Sequence, residues 1–411
     1  LATRPSHRSG FRESKSSHFL RNSKTCTPFT EKFCIFTSLT LHRPMRIEDI
    51  ALTFVEGLGT KGTARLLDCF GSAEAIFAAP ESDFFERAGF IRAGVVKEIL
   101  SRRAFAAAEK ELRRAERYNI VPIASTDDTY PPLLRECPDA PHVIYAQGDL
   151  SSLGRRAVAF VGTRDMTVYG QRSGTKIIEQ LSELVPDTVV VSGLALGNDG
   201  NAHRAALQFG LKTVAVIANA LPDIAPAEHR NLADRILLAG GAVITEITSQ
   251  AKNKGDFFPS RNRIIAGMSS ATVVVESPYE GGSMLTADYA FGYGRDVMAV
   301  PGRMDDKLSY GCNLLIKQNK AAMVCSGSDI IRLLGWEAAA TGKPLPAQTE
   351  TVNLTADERR LYDSLGSGEA AGYDTLAFRN GMSAASVASI VVSLELCGLV
   401  RTLPGRICEK I

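Results

Sequence analysis

The chain has 411 residues, of which 45% are hydrophobic and 22% charged, and its formal net charge is +2. A chain of this length can bury a large core and typically folds as about two to four domains. No window approaches the roughly 18 to 20 consecutive apolar residues of a membrane-spanning helix, so we expect no membrane segment. The eight cysteines are scattered without a CxxC pair or a Cys/His cluster, which predicts a reduced, cytoplasmic protein without a metal site.

Residues 1–44 differ from the rest of the chain, because they hold eight Lys+Arg against two acids, a surplus of +6. Three interpretations fit, namely a basic arm that binds DNA, an organelle transit peptide, and a disordered tail or mis-called start, that is, a translated upstream region ahead of the true start at Met45. Amphipathic helical spacing begins at once after Met45, which favours the last interpretation. Residues 45–411 then carry 39 Lys+Arg against 43 Asp+Glu, so a nucleic-acid site must be a local patch.

Residues 45–118 are predicted to form a helical domain of the helix-hairpin-helix or SAM-like type, because short amphipathic helices alternate with glycine turns. The turn at residues 57–59, Gly-Leu-Gly, precedes a helix, and such turns let backbone N–H groups approach a phosphate. A DNA contact and a plain interhelical turn fit this spacing equally well. The second turn, residues 88–94, lacks the spacing and is interpreted as structural.

Residues 119–335 are predicted to form a Rossmann-like, doubly wound and mostly parallel sheet of the α/β class. The segment up to residue 150 indicates an edge with short strands, and Pro131 and Pro132 argue against a helix there. From Arg155 onward, apolar β-branched runs alternate with helical stretches, which is typical of a sheet covered on both faces. The expected strands span residues 158–161, 189–191, 213–217, 242–245, 272–275 and 297–300. Ligands of such sheets bind at the carboxyl ends of the strands.

The first two strand ends favour phosphate over a dinucleotide. Gly162, Thr163 and Arg164 follow the first strand, and there a guanidinium beside amide donors suits a phosphate. No G-x-G-x-x-G follows that strand and no acid ends the second, which argues against nicotinamide or flavin binding. The second strand leads into a second phosphate-type loop, in which Asp199 is a candidate helix N-cap and His203 a structural histidine rather than a catalyst. The candidate binding residues of this loop are Ser192, Gly193, Gly197, Asp199 and His203.

Three later segments extend the predicted site. Residues 258–267 place Pro259 in a first helical turn and cations just after it. Two solvated arginines and a cap are the alternative to a phosphate site here, and the phenylalanines at 257 and 258 fit either base stacking or the core. Gly-Gly-Ser opens another helix, and an asparagine follows the Pro-Gly turn after the sixth strand. The candidate residues are Phe258, Arg261, Asn262, Arg263, Gly281, Gly282, Ser283, Thr286 and Asn313. We call the row of loops at the carboxyl ends of the parallel strands the rim. Several glycine loops along this rim suit an extended polyanion better than a small nucleotide.

Five ordered motifs resemble the DNA-processing protein A family, also called Smf. They are Val-Gly-Thr-Arg (161–164), Ser-Gly-Leu-Ala with Gly197, Asp199 and His203 (192–203), Phe-Pro-Ser-Arg-Asn-Arg-Ile-Ile-Ala-Gly (258–267), Gly-Gly-Ser-Met-Leu-Thr-Ala (281–287) and Pro-Gly (301–302). The resemblance implies a helical N-terminal domain, a Rossmann-like core that binds single-stranded DNA, and a winged-helix-like tail. It also implies a homodimer that protects incoming DNA in natural transformation and loads the RecA recombinase. We accordingly expect a binding protein without cofactor rather than an enzyme.

The chain departs from the family pattern at three places. The loop at residues 218–223, after the third strand, lacks the expected glycines. Gly281 stands where a serine is usual and follows Glu280, and Asn198 replaces an isoleucine. These departures predict weaker contacts on part of the rim, while the pocket remains.

Residues 336–353 are predicted to be a linker, and residues 354–411 a winged-helix-like domain. Its third helix, around residues 383–396, carries almost no basic side chain, so we expect this domain to contact protein rather than duplex DNA. A different function remains open, namely a nucleotide phosphoribohydrolase-like enzyme on a Rossmann fold. That class is characterised by a Pro-Gly-Gly-x-Gly-Thr stretch followed by a catalytic Glu, which this chain lacks.

Overall fold

A computed structural model describes residues 46–251, 257–338, 354–366, 370–396, 399–403 and 405–410. The predictions for residues 1–44 and for most of the linker lie outside these ranges. Within the described ranges, no helix combines the length and the apolar character that a membrane crossing requires.

Six short helices form the N-terminal region, as predicted. Their apolar faces enclose a core of their own, which includes Ile50, Leu66 and Phe84. The last helix is shared with the rest of the molecule, because Ala104 and Ala108 belong to this core whereas Ala115 packs against the sheet. The helices are α1 (Ile47–Thr53), α2 (Thr60–Phe70), α3 (Ala73–Ala78), α4 (Glu81–Arg87), α5 (Ala93–Ser101) and α6 (Ala104–Arg117).

A nine-stranded sheet follows, and the prediction of a mostly parallel α/β sheet is confirmed. The strands are β1 (Val121–Ala124), β2 (Val143–Gly148), β3 (Ala157–Val161), β4 (Val189–Ser192), β5 (Lys212–Val216), β6 (Ala242–Thr245), β7 (Ala271–Val274), β8 (Asp296–Ala299) and β9 (Ala322–Met323). Their order is β1-β2-β6-β5-β4-β3-β7-β8-β9, and all neighbours from β6 to β9 are parallel. Strand β2 pairs antiparallel with both of its neighbours, the edge strand β1 and the parallel strand β6.

Helices cover both faces of the sheet. Ala159 and Val161 of β3 belong to the core of one face, whereas Val158 and Phe160 belong to the other, as the period of two in a strand requires. The helices are α7 (Pro132–Arg135), α8 (Val168–Leu184), α9 (Asn198–Gln208), α10 (Arg230–Leu238), α11 (Phe257–Gly267), α12 (Gly282–Gly292), α13 (Tyr310–Lys317) and α14 (Gly327–Leu334).

Helix α7 corrects one expectation, because the two prolines were predicted to prevent a helix here. Pro132 is the first residue of α7. The N–H group that proline lacks would have no intrahelical partner at this position, and the fixed φ of proline already suits a helix. Proline is unfavourable in the interior of a helix but is tolerated in the first turn.

The C-terminal residues form the predicted winged helix. Its helices are α15 (Ala356–Asp363), α16 (Tyr373–Asn380) and α17 (Ala384–Leu396), and its strands are β10 (Ala370–Gly372), β11 (Val400–Leu403) and β12 (Ile407–Lys410), in the order β10-β12-β11. Leu361, Leu376 and Val391 meet in a separate small core. Ser383 Oγ accepts a hydrogen bond from Ser386 N at 3.1 Å, which caps the first turn of α17.

A buried histidine joins α9 to β5. His203 is fully buried, and its Nδ1 lies 2.7 Å from Thr213 Oγ1. The Thr213 hydroxyl donates to Val190 O at 2.7 Å, so Nδ1–H of His203 is the donor to Thr213. Burial lowers the pKa of His203 to about 3, and the imidazole is therefore neutral in the folded protein.

We predict that this histidine makes stability depend on pH. Its pKa is about 6.5 in the unfolded chain, so the unfolded state takes up a proton below that pH while the folded state does not. The free energy of unfolding should therefore fall by about 2 kcal/mol from this group between pH 7 and pH 5. Denaturant titrations of the wild type and of His203→Asn at both values measure it. The variant should show a flatter pH dependence, and an unchanged dependence contradicts the assignment.

Candidate nucleic-acid interface

The predicted site residues gather at the carboxyl ends of the central strands. Strand β3 connects onward to β4 on one side, while its neighbour on the other side is β7. The connections thus leave β3 and β7 in opposite directions, which opens a crevice above the sheet, and ligands of open α/β sheets bind in such crevices.

The loop after β3 is fixed by backbone hydrogen bonds and presents one exposed cation, Arg164. Thr163 N donates to Glu276 O at 2.7 Å, and Thr163 O accepts from Asn198 N at 3.1 Å. Gly162 packs directly against Asn198 and the Glu276 carbonyl, so no side chain fits there. Arg164 is exposed, and its Cζ lies 5.4 Å from the ring centroid of Phe258. Among the described residues, no carboxylate lies within ion-pair distance of Arg164.

The loop after β4 reaches α9 through a glycine turn. Gly197 has φ 74° and ψ −126°, and a side chain on it would collide with the carbonyls of Thr163 and Arg164. The predicted N-cap role of Asp199 is wrong, because Gly197 is the N-cap and Asp199 lies in the first turn. Its carboxylate instead accepts from Ala195 N at 3.3 Å. Ser192 is buried and donates to Phe160 O at 2.6 Å.

Arg261 lies beneath this loop rather than on the surface. It is 5% exposed, and its Nη1 donates to the carbonyls of Gly193 and Val216. A side chain at Gly193 would meet both Arg261 and Asp199. Burial raises the pKa of Asp199, and the Arg261 charge opposes that shift. Arg261 therefore joins α11 to the carboxyl ends of β4 and β5.

The neighbours of Arg261 on α11 also bind protein atoms. Arg263 is 7% exposed and donates to Glu246 Oε2 and to Asp139 O. Asn262 Nδ2 donates to Gly282 O at 3.2 Å, which links α11 to α12. Phe258, in the first turn of α11, is 39% exposed.

The remaining predicted residues lie at the start of α12, after β7, and in α13, after β8. Ser283 Oγ donates to Ser277 Oγ at 2.7 Å, and Thr286 Oγ1 lies 3.4 Å from Gly282 O. Gly281 is the N-cap of α12, and Gly282 faces open space. Asn313 holds the Pro-Gly turn, because its Oδ1 accepts from Gly302 N at 3.1 Å and its Nδ2 donates to Gly302 O at 3.0 Å.

Glu276 is a residue that the sequence patterns did not single out as part of the site. It is fully buried, and its carboxylate accepts from Thr167 N at 2.9 Å and from Thr167 Oγ1 at 2.5 Å. It thereby links the end of β7 to the start of α8 beside the Arg164 loop. The sequence could have indicated this role, because an acid directly after an apolar strand is expected to be buried, and a buried carboxylate requires hydrogen-bond donors.

Exposed tyrosines at the rim were also missed. Tyr279, after β7, is 60% exposed, and its ring centroid lies 5.9 Å from that of Tyr310, the first residue of α13. Tyr169, at the start of α8, donates to Pro301 O at 2.5 Å. A lone aromatic in a loop or at a helix start belongs to no periodic pattern, so only the fold brings the rings of Tyr279 and Tyr310 together. Across the described residues, no three His, Cys, Asp or Glu side chains converge in a way that could hold a metal ion.

Comparisons with known proteins agree with this geometry. The family described as DNA recombination-mediator protein A matches residues 122–335, and the DprA winged helix domain matches residues 344–406. Protein Smf of Escherichia coli is 34% identical over 290 residues, 69% of this chain and 75% of that protein. A putative DNA processing protein DprA of Mycobacterium tuberculosis is 33% identical over 357 residues, 84% of this chain and 89% of that protein.

A solved structure of a DNA processing protein is also similar to this chain. The X-ray structure of DNA processing protein A from Streptococcus pneumoniae superposes with a TM-score of 0.61 at 32% identity, covering 70% of this chain and 98% of that one. The matched family region includes the whole rim from Gly162 to Asn313. The chain belongs to the DNA-processing protein A (DprA/Smf) family.

Proposed function

We propose that this protein binds single-stranded DNA without sequence preference along the carboxyl-end rim of its sheet. The observation that carries the proposal is the exposed pair of Arg164 and Phe258, 5.4 Å apart at the crevice between β3 and β7. A cation beside an aromatic ring offers a phosphate contact together with a stacking surface, the combination typical of sequence-tolerant single-strand binders. The open N-terminal end of α12 at Gly282 adds backbone donors nearby.

The predicted cations divide into two roles in this proposal. Arg164 contacts the phosphate, because it is exposed and has no carboxylate partner among the described residues. Arg261 and Arg263 hold the rim in shape, because both are buried and donate to protein oxygens. The backbone of the rim is thereby set before DNA arrives, which lowers the ordering cost of binding.

Binding rather than catalysis is the activity we propose. His203 is fully buried and neutral, so it has no access to a ligand at the rim. The phosphoribohydrolase alternative requires a glycine-rich motif and a catalytic Glu that the sequence lacks. Release of ribose phosphate from a nucleoside monophosphate by the purified protein would contradict the proposal of binding without catalysis and would favour the phosphoribohydrolase alternative.

Family membership supports the wider role. We propose that the protein acts in the cytoplasm as a homodimer, protects incoming single strands in natural transformation, and loads the RecA recombinase onto them. The winged helix, whose third helix is poor in basic residues, suits a protein contact in that role. Faster formation of RecA filaments on single strands in the presence of the protein is the direct assay.

We predict that Arg164→Ala weakens binding to single-stranded DNA by about tenfold at low salt. One phosphate contact on a single strand contributes about 0.7 to the slope of log K against log salt, so the slope should fall by that amount. Anisotropy titrations with a labelled oligonucleotide at several salt concentrations measure both quantities.

The matched control is Arg235→Ala, which removes the same charge from the last turn of α10, where the chain enters the amino end of β6 and not the carboxyl-end rim. Its affinity and salt slope should equal those of the wild type. Equal losses in the two variants would show a general charge effect and would contradict the assigned contact.

We predict that Arg261→Ala acts on stability instead. Its removal leaves two carbonyls and Asp199 buried without their cation, and breaking such an arrangement typically costs about 3 to 5 kcal/mol. Denaturant unfolding should show a loss of that size, whereas Arg164→Ala should change the free energy of unfolding by less than about 0.5 kcal/mol. A stable Arg261→Ala protein with a reduced salt slope would instead make Arg261 a direct phosphate contact.

A further inference from the structure

A basic groove lies where α6 meets the sheet. It encloses about 630 Å³ and is lined by Lys110, Arg113, Arg114 and Arg117 of α6 and by Ser249 and Gln250 of the loop after β6. None of these residues belongs to the site described above. The groove is open to solvent and contains four cations.

The four cations share one side of α6, because their spacing of three, one and three residues follows the helical period. Like charges at such spacing repel one another and destabilise a helix unless something neutralises them. Glu109 lies 3.5 Å from Arg113, and Asp223 lies 4.0 Å from Arg114. Lys110 and Arg117 have no carboxylate within ion-pair distance among the described residues. The groove therefore keeps an excess of positive charge, whereas residues 45–411 as a whole carry 39 Lys+Arg against 43 Asp+Glu.

The groove is held in a fixed shape by hydrogen bonds between the two domains. Glu111, 5% exposed, accepts from Ser249 N at 3.0 Å and from Ser249 Oγ at 2.5 Å. Gln250 Nε2 donates to Ala107 O at 2.9 Å. These bonds use the carboxylate of Glu111 and the carbonyl of Ala107, so they involve none of the four cations of α6.

The groove also adjoins the rim. Arg114 Nη2 donates to Leu221 O at 3.3 Å, in the loop after β5, and the loop after β6 forms the other wall. Both loops follow the carboxyl ends of their strands, at the same edge of the sheet as Arg164. The loop after β5 is the part of the rim that lacks glycines, and there the cations of α6 supply donors that the loop does not.

We propose that the groove binds the sugar–phosphate backbone of the same single strand that lies on the rim. The inference rests on the proposed function, and it lengthens the DNA path from β3 across β4 and β5 to α6. That path crosses two to three strand spacings, about 10 to 15 Å. The helical domain is then part of the DNA-binding surface through α6.

The test compares two charge-matched double variants, Arg113→Gln/Arg117→Gln in the groove and Arg235→Gln/Lys317→Gln in the last turns of α10 and α13, which lead to the amino ends of β6 and β9, away from the rim. All four side chains are exposed, so both proteins should fold, which thermal unfolding verifies. Affinity and salt slope are measured with a 5′-phosphorylated dinucleotide, which at about 3.4 Å per nucleotide is shorter than the path from β3 to α6, and with a single-stranded oligonucleotide of about 30 nucleotides, which is much longer.

The proposal predicts a loss specific to the long oligonucleotide. The groove variant should bind it about tenfold more weakly, with a salt slope flatter by about 1.4, which corresponds to two phosphates. Its affinity for the dinucleotide, which the rim alone accommodates, should equal that of the control variant.

Two results would overturn the proposal. If the groove variant and the control variant bind the long oligonucleotide equally, the strand does not pass over α6, while the rim assignment stands. If the wild type binds neither the dinucleotide nor the long oligonucleotide, the proposed function fails and this inference fails with it. A further comparison separates the two sites, because Arg164→Ala should weaken binding of both lengths.

Discussion

The bonds of one buried arginine hold the rim of this protein in place. Arg261 donates to the carbonyls that end β4 and β5 and lies beside Asp199, so one side chain from α11 fixes three neighbouring segments. A buried cation is unfavourable unless its surroundings neutralise and bond it. That requirement explains why position 193 is a glycine, since any side chain there would occupy the space of Arg261 and Asp199.

Much of the fold was predictable from the sequence. The apolar β-branched runs marked the parallel strands to within about one residue, because both faces of this sheet are buried and most strand positions are apolar. The placement of charged residues was less predictable. Arg261 and Arg263 have the composition of a phosphate site, yet both are buried, and only the tertiary positions of Gly193 and Glu246 decide that. The position of Asp199 was likewise not predictable, because the N-cap of α9 is Gly197, whose backbone has a positive φ.

The site residues therefore separate by exposure rather than by type. Arg164, Phe258 and Gly282 face solvent, while Ser192, Asp199 and Ser283 bond within the protein. A sequence motif contains both the residues that face solvent and the residues that support them, because the shape of the rim depends on both. The cations of α6 show the converse case, since they belong to no motif of the sheet and reach its edge only through the packing of the helical domain. One exposed cation at the crevice and a basic groove beside the same carboxyl ends suit a flexible polyanion that follows those strand ends.

Photocrosslinking tests the central claim most directly. A single-stranded oligonucleotide with a photoreactive base is irradiated in complex with the full chain, and the attached peptides are identified by mass spectrometry. The account predicts attachment at Phe258 and at the rim tyrosines Tyr169, Tyr279 and Tyr310, which are exposed around the crevice between β3 and β7. Attachment confined to the winged helix, residues 354–410, with none at the rim, would contradict it.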